Sequence, residues 1–251
     1  MSSTRGIAIV TGASSGIGSA TALALANEGF QVIGAARRVE RLKELQAKNP
    51  AIEIRELDIT DQSSVDAFAA SLSGKPVELL VNNAGGAFDA DSVLDSDPEV
   101  WRQTYEVNVI GTVRMVKAIT PLMLAHGAGQ IVVMGSTAGH TAYENGGSYV
   151  AAKFAERSLA ATLRLELNGM PIRVSEISPG MVKTDEFAKV RFGGDAAKAA
   201  KVYEGVAEPL VAEDIAEAIR WVATLPGHVN IDSMVVRPIA QAANHKVHRQ
   251  L

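Results

Sequence analysis

The chain is 251 residues long, 47% hydrophobic but only 5% aromatic, and carries a net charge of −4 with no basic block. That length suits one large α/β domain with a sizeable core, and that charge balance excludes nucleic acid as the main partner. There is no cysteine, so disulfides, thiolate nucleophiles and cysteine metal sites are excluded and a reducing compartment is permitted.

Nothing apolar precedes the first strand and no run approaches the roughly 18 apolar residues that span a bilayer, so we expect no signal peptide, no membrane partner and a cytoplasmic location. Short apolar runs at 6–10, 30–35, 52–57, 77–81, 130–134, 172–177 and 234–236 alternate with helical stretches. This alternation predicts an α/β fold, a Rossmann-type doubly wound seven-stranded parallel sheet with helices on both faces, as a single domain over 1–251.

The first run leads into TGASSGIG, Thr11 to Gly18, and then into an Ala/Leu-rich helix. Gly12, Gly16 and Gly18 remove Cβ atoms where the backbone must turn and approach a diphosphate, and the helix N-terminus around Ile17 favours an anion. Thr11, Ser14 and Ser15 add hydroxyl donors or structural pins. Taken alone, the stretch is equally a glycine-rich turn that binds nothing. The second strand ends at Arg37 and Arg38. An NAD site usually places an acid there, about 20 residues after the turn, whereas two guanidinium groups suit a 2′-phosphate. The bland reading is a charged helix start shared with Arg41 and Lys43. Asp58, before Ile59 at the third strand's end, accepts from an adenine amino group or simply stops the strand.

The fourth strand runs into Asn82-Asn83-Ala84-Gly85-Gly86. Thr60-Asp61 starts one helix, and Asp97, Pro98 and Glu99 supply the cap, N1 proline and first-turn acid of another, which Pro121 is expected to end or bend. Asn108 and Gly111 are poor helix formers in mid-helix, so a distortion is expected that frees a backbone carbonyl for water; a buried structural amide is the alternative. Ser136 lies just past the fifth strand. Tyr149 and Lys153 are four apart on a helix predicted over 148–168, so both fall on one face. An ammonium beside a phenol, whose free pKa is about 10, favours the phenolate and proton exchange near neutrality. That helix is apolar around more than one face, which predicts a second contact and a homo-oligomer. The stretch 180–210 follows a strand's C-terminal end and reads as a substrate lid or as a solvated connection.

TGASSGIG, NNAG, Ser136, Tyr149-Val150-Ala151-Ala152-Lys153 and Ser178-Pro179-Gly180 occur in an order and spacing that resembles the short-chain dehydrogenase/reductase family. The resemblance implies an NADP-dependent enzyme acting on CH–OH groups. Ser136 would orient the substrate oxygen, Tyr149 transfer the proton, Lys153 hold the ribose, and Asn108 serve a water-mediated relay. It implies cofactor contacts at Asn83, Ala84, Gly85, Pro179, Gly180, Val182 and Thr184 beside those of the glycine turn, and a homotetramer. The end of the chain, with Leu225-Pro226-Gly227-His228-Val229-Asn230-Ile231, Arg237-Pro238 and the tail at 242–251, is similar to the branch that oxidises 3-hydroxy acids such as serine and allo-threonine. A carboxylate substrate needs a cation, with Arg191, Lys183 and Arg249 as candidates, while His140 either lines the substrate mouth or is an exposed loop histidine. The tail is expected to pack on a neighbouring subunit or over a site. Reduction of 3-oxoacyl thioesters or simple ketones is the second enzymatic reading, and a non-catalytic NADP-binding sensor the third. No clustered histidines and carboxylates suggest a metal.

Overall fold

Strand β1 (Ile7–Thr11) is buried along its whole length and pairs in parallel with β2 (Gln31–Ala36) on one side and β4 (Val77–Asn82) on the other. The computed structural model describes residues 5–184 and 186–250. With β3 (Glu53–Glu56), β5 (Gly129–Met134), β6 (Ile172–Pro179) and β7 (Ser233–Val236) these form one seven-stranded sheet in the order β3-β2-β1-β4-β5-β6-β7. Every pairing is parallel, as the alternation of apolar runs and helices predicts.

The period of two along each strand divides the core. Ile7, Ile9, Ile33, Leu80, Ile131 and Val133 face α3 (Gln62–Ala70), α5 (Gly111–His126) and α6 (Gly147–Glu166). Ala8, Val10, Val32, Leu79, Val81 and Val132 face α1 (Gly16–Asn27), α2 (Val39–Lys48) and α9 (Ala212–Thr224). Each fully buried Ile or Leu in these two layers contributes about 1.5–3 kcal/mol, and only an α/β sandwich hides both faces of such strands. The strand order reverses between β1 and β4, which opens a crevice at their C-terminal ends.

Asp61 and Asp97 cap α3 and α4 (Pro98–Tyr105) through their side chains as predicted. Pro121, however, does not end its helix: α5 continues to His126 and stops at Gly127, which takes the left-handed conformation at φ 84°. Helical backbone runs unbroken from Pro98 to His126; its mean hydropathy is high enough for a membrane span, although Arg114 and Lys117 interrupt its apolar residues. Half of its most apolar window is buried within the fold, the pattern of a core helix. After β6 come α7 (Phe187–Arg191) and α8 (Ala196–Lys201), short helices in the 180–210 segment. The chain finishes in a hairpin of β8 (Gln241–Ala243) and β9 (Lys246–Val247).

Candidate active site

At the crevice between β1 and β4, Gly12 and Gly16 adopt φ of 67° and 50°, values that side chains other than glycine rarely take. A Cβ on Gly12 would come within 2.9 Å of Ala84 Cα, and one on Gly18 would overlap the Gly12 carbonyl. Thr11 pins the facing strand: its hydroxyl accepts from the backbone N–H groups of Asn83 and Ala84 at 3.0 Å and donates to the Val81 carbonyl at 3.3 Å. Asn83 donates its amide back to the Thr11 carbonyl at 2.9 Å. The result is a rigid cradle with the N-terminus of α1 at its floor, and Ser15, the N-cap of α1, leaves its hydroxyl free of capping duty.

A cleft of about 510 Å³ extends from this cradle to the start of α6. Every residue assigned to cofactor contact from the sequence lines it, from Arg37, Arg38, Asp58 and Ile59 at one end to Tyr149, Lys153, Pro179, Gly180, Val182 and Thr184 at the other. A glycine turn packed closely on Asn83 and Ala84 at the N-terminus of α1, with arginines at one end of the cleft and an acid–base pair at the other, fits a dinucleotide carrying a 2′-phosphate. Arg38 donates to Ser14 and Ser15 at 3.0 Å each. Asp58 accepts at 2.9 and 2.7 Å from the backbone and hydroxyl of Thr60, which together with nearby Arg37 hold its carboxyl below the usual range despite partial burial. Its strand-stopping role is thereby visible, and it still borders the cleft.

At the far end, the burial of α6 sets Tyr149 and Lys153 side by side, both under 10% exposed. The Lys153 ammonium lies 5.5 Å from the centre of the Tyr149 ring, donates to the Met134 carbonyl at 2.7 Å and pairs with Glu156 at 2.6 Å. Burial alone would lower the Lys153 pKa, but Glu156, Tyr149 and Glu176 outweigh it and raise it, so the ammonium stays charged. Burial pushes the Glu156 carboxyl up, to about 7, against the pull of Lys153. The Phe187 ring meets Tyr149 edge-on at 5.5 Å and walls its outer side. Ser136, N-cap of the 3₁₀ turn Thr137–Gly139, accepts from Ala138 N–H at 3.1 Å and has the Pro179 carbonyl 3.5 Å away, a weak acceptor that leaves its proton available to the cleft.

Asn108 does sit in a distortion: residues Glu106–Ile110 form a π-helical turn between α4 and α5. Within this turn the Asn108 carbonyl accepts from the Thr112 hydroxyl at 2.7 Å. Its side chain, fully buried and outside the cleft lining, donates to Gly86 O at 2.9 Å and Thr104 O at 2.7 Å and accepts from Gly86 N–H at 3.1 Å. Asn108 thus moors the Gly85-Gly86 loop; a Cβ on Gly85 would lie 2.5 Å from its Oδ1.

Of the three candidate cations and His140, Arg191 is the one that lines the cleft, which Ser136 and Tyr149 also line. It donates to Asp89 O at 3.3 Å, Asn145 O at 2.8 Å and the Tyr143 hydroxyl at 3.2 Å, and lies over the Tyr143 ring. His140 is corrected: it turns away to Ser178 Oγ at 3.1 Å and the buried Glu176, whose Oε1 accepts from Ser178 at 2.6 Å. Arg249 is corrected too, because it bonds the carbonyls of Val202 and Glu204, and Gln250 N–H bonds Gly205 O at 2.7 Å. The tail therefore packs on the 180–210 segment of its own chain, while Lys183 is exposed outside the cleft. The sequence reading missed Tyr143, Glu156, Glu186 and Gln241. Gln241 accepts from Met181 N–H at 2.7 Å and so ties the C-terminal hairpin to the segment after β6, a contact 60 residues apart that no local pattern announces. Glu156, three residues after Lys153 on the same helix, was the one accessible from spacing.

Residues 6–193 match the family model for short chain dehydrogenases. An uncharacterized oxidoreductase of Mycobacterium tuberculosis is 47% identical over 239 residues, 94% of this chain and 92% of that one. The NADP-dependent 3-hydroxy acid dehydrogenase YdfG of Escherichia coli is 38% identical over 97% of this chain and 100% of its own length. Among solved structures, the closed form of a serine dehydrogenase complexed with NADP+ superposes with a TM-score of 0.91 at 38% identity, covering 97% of this chain and all of that one.

Proposed function

Given that the chain belongs to the short-chain dehydrogenase family and is an NADP-dependent oxidoreductase, we propose that it transfers a hydride between the cofactor and a small 3-hydroxy acid, serine, allo-threonine or a similar molecule, or the oxo counterpart. The bound cofactor supplies the hydride donor or acceptor at its nicotinamide ring. The chain's own residues bind, orient and move the proton. Ser136 turns its hydroxyl to the substrate oxygen, Tyr149 gives or takes that oxygen's proton, and the fixed charge of Lys153 favours the negative charge that develops on Tyr149. Asn108 is a positioning residue for the loop beside them.

Arg191 carries the choice of a carboxylate substrate. It lines the cleft as Tyr149 does and, among the described residues, its hydrogen-bond partners are two carbonyls and a phenol, with no salt bridge to a carboxylate. A cation held in place by neutral acceptors is a receptor for an anionic group. The names of YdfG and of the serine dehydrogenase support the same class. The test is a panel of 3-hydroxy acids, secondary alcohols and 3-oxoacyl thioesters with NADP, run on the wild type and on R191M. A charge-assisted contact is worth about 1.5–3 kcal/mol, so kcat/KM for hydroxy acids should fall roughly 10- to 150-fold while that for uncharged alcohols holds. Equal losses on both classes, or no turnover of hydroxy acids by the wild type, would refute the assignment. We also propose a homotetramer, for which the apolar faces left open on the chain are the support.

A further inference from the structure

The guanidinium groups at the end of β2 already hold an anion, and it comes from the chain itself. Glu186, which immediately precedes α7, places Oε2 2.6 Å from Arg38 and 3.1 Å from the Ser15 hydroxyl, with Oε1 2.9 Å from Arg41. One carboxylate thereby spans from the segment after β6 to both the cap of α1 and the start of α2. Partial burial opposes ionisation, yet Arg38, Ser15 and Arg41 hold its carboxyl below the ordinary range. Arg37, by contrast, makes no ion pair among the described residues and lines the same end of the cleft.

We propose that Glu186 is a cofactor-discriminating residue: its carboxylate occupies the anion site built by Arg38, Arg41 and Ser15, and the 2′-phosphate of NADP must displace it, unlatching the 180–210 segment in a way that NAD cannot. The physical basis is competition for one set of donors. A phosphate carries more charge than a carboxylate and adds oxygens for Arg37, so it wins the site. A cofactor with a bare ribose hydroxyl offers the arginines nothing to exchange for Glu186, and the latch stays shut. The latch is adjacent in sequence to Phe187, whose ring packs on Tyr149, so exchange at the adenine end reaches the acid–base end through two consecutive residues.

Two measurements test this without turnover. Isothermal titration of E186Q, which keeps the side chain's shape but not its charge, should show NADP+ bound roughly tenfold tighter than by the wild type, with NAD+ changed less than twofold. In the wild-type protein, saturating adenosine 2′-monophosphate, which carries the phosphate but has no nicotinamide, should speed amide hydrogen exchange over 186–192. Adenosine 5′-monophosphate should leave it unchanged. NADP+ binding by E186Q that is equal or weaker, a parallel gain for NAD+, or exchange indifferent to the 2′-phosphate would each overturn the proposal.

Discussion

Lys153 and Glu156 are both buried and 2.6 Å apart, so neither can be judged alone. Removing one partner of a buried pair leaves an uncompensated charge, at a cost of about 3–5 kcal/mol, whereas replacing both by apolar side chains is often neutral. At pH 8, where Glu156 is ionised, E156L should lose stability by that amount in urea denaturation, and K153M/E156L should recover most of it. A double variant no more stable than E156L would show that the pair is not the cause. The pH dependence has a definite sign. Folding raises the Glu156 pKa from its ordinary 4.5 to about 7, so the folded chain holds this proton more tightly than the unfolded one. The proton-linked stability, separate from the cost of leaving Lys153 unpaired, is complete below about 4.5 and is lost as pH rises through 7; K153M/E156L should lack that slope. Ser136, Tyr149 and Lys153 were readable in the sequence because their chemistry is carried by residue type and by a four-residue helical spacing. His140 was misplaced because its partners, Ser178 and Glu176, come from a neighbouring strand.

The long helical run from Pro98 to His126 changes character at Glu106–Ile110, and the π turn there has a cause in one side chain. Asn108 exchanges hydrogen bonds with Gly86 across 22 residues and takes a third to Thr104. Replacing it by leucine strands those groups in the core, and each buried unpaired group costs about 1–3 kcal/mol. N108L should therefore unfold at lower urea and bind NADPH more weakly in a fluorescence titration, because the loop it moors borders the cleft. Lost turnover with unchanged stability and cofactor binding would instead assign Asn108 to the chemistry. The distortion was legible from two poor helix formers in mid-helix, but the side chain's partner was not, since nothing local in 104–112 points to Gly86. The strands and most helix starts were legible because a period of two and a capping acid are local signals. The passage of α5 through Pro121 was not, because tertiary burial on the sheet compensates for what proline removes from the helix.

At the scale of the whole molecule, several large apolar side chains of the described residues are left exposed, and two sets of them are candidates for contact with further copies of the chain. Tyr105 on α4 and Phe154 and Leu165 on α6 are 44%, 42% and 80% exposed, on helices that adjoin each other over one face of the sheet. The second set is Trp221 on α9, Val235 on the edge strand β7 and Ile239 just beyond it, 45%, 41% and fully exposed. Two separate patches, each able to pair with its own copy across a two-fold axis, generate a closed tetramer, whereas one patch stops at a dimer. The expected series in sedimentation equilibrium follows from that geometry. The wild type should run at four times 26.4 kDa, and F154E/L165E and W221E/I239E should each fall to twice 26.4 kDa. The four substitutions together should give the single chain, since a charge buried at each interface is costly without a partner. A wild type that sediments as 26.4 kDa would refute the tetramer outright, and a dimer broken by only one pair of substitutions would assign the other patch to a different partner.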